Sequence, residues 1–330
     1  MRVLKHFAIT LFVVIALSCN TKAPYTKIDG YAFASTYHIV FQNDRNIDFR
    51  DKIDSLLDEI NNTYSTYREN SITSKINRNE SDSTNKLFRD GYGICTMVSD
   101  KTDGAFDITT ASLVAYWGFS SKKGLNQSTP LDSLKQWVGY KKIELRDDKI
   151  VKQNPHITLN MSSIGDGLAV DKVAELLEKF EVKNYLIEIG GEIKTGGMNA
   201  RNEIWRVAID KPIYDSLALH REFQNTVKLQ NKALSTSGSY RKFREVNGKR
   251  FAHFIDPKTG EPVTHNLLSA TVIHDKCAIA DAFSTAFMVM GLERSLEYLK
   301  QDTTLSALFI IANGEGFRSI YCNKFEQYAE

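Results

Sequence analysis

Asp281 and Thr285 lie four residues apart in Ala278 to Met290, a segment whose composition and closing Gly291 predict a helix. That spacing puts both side-chain oxygens on one helix face, among the small residues Ala280, Ala282 and Ala286. A carboxylate and a hydroxyl are hard donors, suited to Mg2+ or Ca2+ and not to a soft metal. Alone, such a pair is more often a solvated helix face. A second set is Ser162-Ser163-Ile164-Gly165-Asp166-Gly167, a turn ahead of a predicted helix. The first backbone N–H groups of a helix lack partners and can hold phosphate. Its glycine spacing and lack of Lys fit neither the P-loop nor the dinucleotide fingerprint. A third set runs from Ala252 to Gly260, where a strand enters a turn shaped by Pro257 and Gly260. His253, on the strand just before that turn, has the chemistry of a general base or a phosphate ligand, or of a structural histidine bonded to a backbone carbonyl.

The elements that must position these groups read as an irregular mixture. Tyr31 to Phe41 has strand composition, and Ile53, Leu56, Leu57 and Ile60 form a helical stripe. Leu87 to Asp100 reads as a second helix, and Ser120 to Pro130 as a polar loop. Lys142 to Leu159 reads as a hairpin turning at Asp147-Asp148, with Ile157-Thr158-Leu159 returning. The helix after Gly167 carries Val170, Val173, Ala174, Leu177 and Phe180 on one face. Strands are expected at Tyr185 to Ile189, Trp205 to Ile209 and Thr226 to Leu229. A Ser/Gly loop is expected at Ser235 to Ser239, and a hairpin from Phe243 to Ile255 through Asn247-Gly248. After Gly291 come a helix carrying Leu292, Leu296 and Leu299, and two strands around Asn313-Gly314. Many hairpins among irregularly placed helices predict an α+β fold with mixed or antiparallel sheets and packed helices.

Length and composition agree with a globular protein: 330 residues, 42% of them hydrophobic. Arg2, Lys5 and His6 precede an apolar run, Phe7 to Leu17, too short to span a bilayer. With Ala16-Leu17-Ser18 before Cys19, the segment reads as a secretory signal ending in a lipobox-like sequence. The expected organisation is a signal over 1–18, a lipidated Cys19 opening a tether over 19–29, and one domain over 30–330. The protein would then be extracytoplasmic and anchored by lipid to a bacterial membrane. Without Arg2 and Lys5, 40 basic residues face 40 acidic ones, which leaves no basic footprint for nucleic acid. Cys95, Cys277 and Cys322 lack the spacing of a disulfide framework or a zinc site and read as free thiols.

The order of short motifs resembles the FAD:protein FMN transferase (ApbE) family from about Tyr31 to Gly291. Ala32-Phe33-Ala34-Ser35-Thr36-Tyr37 looks like that family's opening Ala-Met-Gly-Thr-x-Tyr, and Ser65-Thr66-Tyr67-Arg68 like its Ser-Thr-Tyr-Arg. Gly104-Ala105-Phe106-Asp107, Trp117-Gly118-Phe119, Ile164 to Asp171 and Gly190-Gly191-Glu192-Ile193 follow in family order. So do Trp205-Arg206-Val207, Ser235-Thr236-Ser237-Gly238, His253 to Gly260, and Ala280-Asp281-Ala282 to Thr285.

The resemblance implies a T-fold-related flavin transferase fold with FAD as substrate and Mg2+ as the ion. Asp281, Thr285 and the Gly165 carbonyl would hold the ion at the FAD pyrophosphate. A Thr or Ser hydroxyl of an acceptor, usually a membrane electron-transfer subunit in this family, would attack the FMN phosphorus and release AMP. His253 would take the proton. Phe33 and Tyr67 would contact the isoalloxazine ring, Ala105, Phe106 and Asp107 would line the flavin or adenine pocket, and Ser237 and Ile255 would complete its wall. Asp166 replaces the family's usual Lys; a carboxylate there cannot act as a cation near phosphate, though it can lie close to the metal. Phe33 and Ala34 replace the usual Met and Gly. Two other readings stay open at this point, an FAD pyrophosphatase using water and a non-catalytic flavin-binding lipoprotein.

Overall fold

The computed structural model describes residues 24–120, 128–213, 222–240, 243–246, 249–314 and 316–330. Cys19 and its signal segment, most of the loop expected between 120 and 130, and the Asn247-Gly248 turn lie outside them. The chain opens with a hairpin, β1 (Tyr25–Ala32) and β2 (Ser35–Gln42), followed by α1 (Arg50–Tyr64), α2 (Ile72–Asn77) and α3 (Lys86–Lys101). Then come α4 (Ala111–Tyr116), α5 (Leu131–Gln136), β3 (Ile143–Arg146), β4 (Lys149–Lys152) and α6 (Gly165–Lys179). Strands β5 (Tyr185–Ile189), β6 (Glu192–Gly196), β7 (Trp205–Asp210), β8 (Phe223–Leu229) and β9 (Ala233–Gly238) follow. Next are the hairpin β10 (Phe243–Val246) and β11 (Lys249–Ala252), then β12 (Leu267–His274). The long helix α7 (Cys277–Gln301), β13 (Ser306–Asn313) and β14 (Gly316–Cys322) close the order.

One eight-stranded sheet, ordered β1-β2-β5-β6-β9-β12-β13-β14, organises the molecule, and its pairings are antiparallel. The α+β expectation therefore holds. Alternation aims Tyr37, Ile39 and Phe41 of β2, with Tyr185, Ile187 and Ile189 of β5, into the main core beneath the helices. That core takes in Ile53, Leu57 and Ile60 from α1 and Val170, Val173, Ala174 and Leu177 from α6. On the other face of the sheet, Ile193, Leu234, Ile273, Leu308 and Ile310 form a second core under the β7–β8 hairpin. Helices α2 and α3 start on side-chain caps, Ser71 Oγ to the Ser74 amide at 3.0 Å and Asn85 Oδ1 to the Phe88 amide at 2.8 Å.

Several local expectations give way to pairing. Tyr31 to Phe41 is not one strand: the chain reverses at Phe33-Ala34, both at positive φ (53° and 63°). Two such residues match a hairpin's twist, but neither is a usual turn former. The expected tether ends early, because β1 already pairs with β2 from Tyr25 and buries Ile28. Ser235 to Ser239 is mostly strand rather than loop, since β9 is held against β12 along its length. Strand β4, not Ile157 to Leu159, returns from the Asp147-Asp148 turn. Gly165 to Gly167 is the first turn of α6, preceded by one 3-10 turn, and His253 lies one residue beyond β11. Gly291 breaks α7 as expected, with φ 75° and ψ 175°. Cys95 and Cys277 are buried, Cys322 is half-buried, and all three are free.

Helices α6 and α7 touch backbone to backbone at Gly167. A Cβ there would lie 2.8 Å from Asp281 Cβ and 2.9 Å from the Cys277 carbonyl oxygen. Gly167→Ala should force the helices apart and lower stability by about 2 kcal/mol, the usual cost of overpacking. Thermal denaturation checks this, and an unchanged midpoint would show that the contact has slack.

Candidate functional site

Topology gathers the predicted groups at one end of the sheet. Strand β2 begins beside the end of β5, with Tyr37 opposite Ile189 and the Gly190 amide donating to the Thr36 carbonyl at 3.1 Å. The Phe33-Ala34 and Gly190-Gly191 turns therefore lie at the same end. Strand β6 leaves that end with Glu192, and β9 arrives there with Ser235 to Gly238. The two strands pair at Ile193–Leu234 and Lys194–Ala233, so β9 separates from β6 as it approaches the site. Helix α6 starts at this end too, and α7 brings Asp281 and Thr285 beneath it.

The polar contacts form one connected set. The Gly167 amide donates to Asp281 Oδ2 at 3.2 Å. Ser237 Oγ lies 2.9 Å from Ser284 Oγ and 3.2 Å from Thr285 Oγ1. Ser284 Oγ donates to the Asp281 carbonyl at 2.9 Å. Ser235 Oγ lies 3.3 Å from Ser284 Oγ and donates to Glu192 Oε1 at 3.3 Å. Asp281, Thr285 and Ser237 thus belong to one set, and Asp166 lies near enough to act on the Asp281 carboxyl. Glu192, Ser235 and Ser284 were missed. Glu192 and Ser235 stood inside the matched Gly-Gly-Glu-Ile and Ser-Thr-Ser-Gly segments, whereas Ser284 carried no signal of its own.

Carboxyl groups are concentrated here. Burial pushes the Asp281 carboxyl well above its ordinary range, and the Asp166 carboxylate adds to the shift. Glu192 is raised for the same first reason, with Asp281 and Asp166 contributing. Lys194, two residues along β6, is committed to Asp171 at 2.7 Å, and Asp171 also accepts from the Ala278 amide at 3.0 Å. Among the described residues no three His, Cys, Asp or Glu side chains are close enough to bind one ion directly. The donors that do converge are all oxygen: one buried carboxylate, several hydroxyls, and the second lone pair of the Gly165 carbonyl in the first helical turn. Such a set with surplus buried negative charge fits a hard divalent cation.

The remaining predicted residues divide. Phe33 sits on its hairpin turn, and Tyr67 is 65% exposed. His253 lies among aromatic rings, 4.1 Å from Phe254 and 6.3 Å from Phe119 between centroids. The Trp117 to Phe119 segment is held there, since Trp117 stacks on Phe251 at 5.9 Å and donates through Nε1 to the Gly260 carbonyl at 2.8 Å. Ala105, Phe106, Asp107 and Ile255, expected to line the flavin pocket, lie in the following surroundings. Ala105 and Phe106 are buried in the main core, and Ile255 in a small core with Leu113, Leu134 and Val138. Asp107 accepts from the Thr109 amide (2.7 Å), the Thr109 hydroxyl (2.6 Å) and the Tyr140 amide (2.8 Å). Its oxygens tie two loops together, and burial raises its pKa despite those donors.

Residues 33–309 match the model of the ApbE family. An FAD:protein FMN transferase of Haemophilus influenzae is 34% identical over 337 residues, covering 96% of this chain and 96% of that protein. One of Vibrio cholerae is 30% identical over 339 residues, covering 98% and 99%. The solved structure of the flavin transferase ApbE from Vibrio cholerae aligns with a TM-score of 0.82 at 28% identity, covering 93% of this chain and 99% of that one. The apo flavinyl transferase ApbE of Pseudomonas stutzeri aligns with a TM-score of 0.82 at 28% identity, covering 92% and 96%.

Asp107→Ala should strand two amides and a hydroxyl and cost about 2–4 kcal/mol of stability. Urea denaturation measures it. A wild-type midpoint would mean that the Asp107 oxygens are not needed to join the two loops.

Proposed function

The chain belongs to the ApbE family and is an enzyme that transfers FMN from FAD to an acceptor protein; we propose that it does so with a hard divalent ion, normally Mg2+, and releases AMP. The observation that supports the ion is the convergence of Asp281, Thr285 and Ser237 beside the start of α6, a set of oxygen donors around one buried carboxyl group.

In this reading Asp281, Thr285 and the Gly165 carbonyl hold the ion, and Ser237 orients the Thr285 hydroxyl. When bound, the ion neutralises charge on the FAD pyrophosphate. Phe33 and Tyr67 contact the flavin ring. The acceptor's Thr or Ser hydroxyl oxygen bonds to the FMN phosphorus as the bond to the bridging oxygen breaks. His253 takes the hydroxyl proton, and AMP leaves with the bridging oxygen. A pyrophosphatase would use water in place of that hydroxyl. The sequence up to Cys19 supports a lipid anchor on the outer side of a bacterial membrane, which suits a membrane electron-transfer subunit as acceptor.

Protein incubated with FAD, Mg2+ and an acceptor domain should yield one covalent flavin on the acceptor per AMP released. AMP formed equally without acceptor would favour hydrolysis instead. Asp281→Ala should lower transfer by about 10²–10³-fold, as loss of a principal charge-stabilising group does, with an unchanged circular dichroism spectrum. Full transfer in that variant, or in excess EDTA, would remove the ion from the mechanism. In cells, Cys19→Ser should move the protein out of the membrane fraction. Wild-type protein found free of membranes would refute the anchor.

A further inference from the structure

The site carries more negative charge than its three assigned ion ligands require. Asp166 is the second residue of α6, and Glu192 the first of β6. A methyl group built on Gly190 would sit 2.9 Å from Asp166 Oδ2 and 3.4 Å from Glu192 Oε2. Both carboxylates therefore border one small space above the Gly190-Gly191 turn, kept open because residue 190 has no side chain. Asp281 belongs to the same cluster from α7. It is only 8% exposed, and its hydrogen bond from the Gly167 amide uses Oδ2. Among the described residues Oδ1 takes no donor, so a buried carboxylate oxygen is left for a ligand. The neighbouring Lys194 is paired with Asp171 and supplies no countercharge.

The three carboxylates stand too far apart to bind one bare ion together. A hydrated ion spans more. Mg2+ and Mn2+ keep several waters when one or two carboxylates bind them, and those waters donate hydrogen bonds to carboxylates around them. We propose that Asp166 and Glu192 accept hydrogen bonds from the waters of the ion that Asp281 binds directly, so that the site fills with a divalent cation before nucleotide arrives. The inference rests on the ion reading given above and adds two residues and an order of binding. Cation first and FAD second follows, because a bound divalent ion offsets most of the carboxylate charge that the empty site would set against the pyrophosphate.

Mn2+ alone is the probe. Free Mn2+ followed by electron paramagnetic resonance should show one ion taken up by FAD-free protein. Asp166→Asn and Glu192→Gln keep shape and remove charge, and each should weaken that uptake by about 10–100-fold, as loss of an outer-shell ligand partner does. A merely structural role would lower the melting midpoint of the metal-free variants. Relief of repulsion should instead hold or raise it while shrinking the rise produced by Mn2+. The proposal is overturned if wild-type protein takes up Mn2+ only with FAD present, or if both amide variants bind it like wild type. Flavin transfer to an acceptor is scored separately. Transfer with charge-insensitive Mn2+ uptake sinks this inference alone, whereas absence of transfer in wild type strikes the function itself.

Discussion

At Gly167 the first turn of α6 lies against α7 so closely that its amide donates to Asp281 Oδ2 at 3.2 Å. Much else depends on that contact. It fixes how deep Asp281 sits, and it aims the partially positive start of α6 at a buried carboxylate. It also sets the height of Asp166 and of the Gly165 carbonyl relative to Thr285, one turn further along α7. A second tie, from the Ala278 amide to Asp171 at 3.0 Å, holds the same helices in register one turn deeper. At the first tie, residue 167 has no side chain to hold the helices apart.

The sheet makes this contact possible by being covered on both faces. Helices seal one face and the β7–β8 hairpin the other, so apolar burial is satisfied along the central strands. Polar groups then collect where strands end and where β6 and β9 part. Stability and chemistry are in this way segregated: Ile187, Val272 and Phe309 belong to the covered middle, whereas Glu192, Ser235 and Ser237 stand at the rim. Carboxylates crowded there destabilise the metal-free state, and the core beneath has to offset that cost.

Elements with strong periodicity were legible in the sequence: α1, α6, the break of α7 at Gly291, and the β13–β14 hairpin. Those set by partners were not. Strand β9, with Ser and Gly toward its end, is extended because β12 pairs along its length and β6 at its start, and β12 carries no alternation because both its faces are buried. The Phe33-Ala34 reversal was hidden because its φ values are imposed by the β1–β2 ladder rather than by turn-forming residues. Within the site, Asp281 and Thr285 were readable from helical spacing. Glu192 was not singled out, because its proximity to Asp166 arises from the Gly190-Gly191 turn and not from separation along the chain. Asp107 and Ile255 belong to matched segments, and the tie that Asp107 makes to the Tyr140 amide and the packing of Ile255 with Leu113, Leu134 and Val138 depend on distant parts of the chain that no local pattern shows.

The thiols described with the fold bear on how such a chain matures. Cys95 and Cys277 are buried, and burial raises both thiols far above the ordinary range. Disulfide exchange proceeds through the thiolate, so neither sulfur in the folded protein is a competent nucleophile or an accessible target. The native state is reached and kept without a covalent cross-link among the described cysteines. Burial shuts oxidants in solution away from both sulfurs. Once folded, the protein keeps these two thiols out of reach of the redox poise of its compartment.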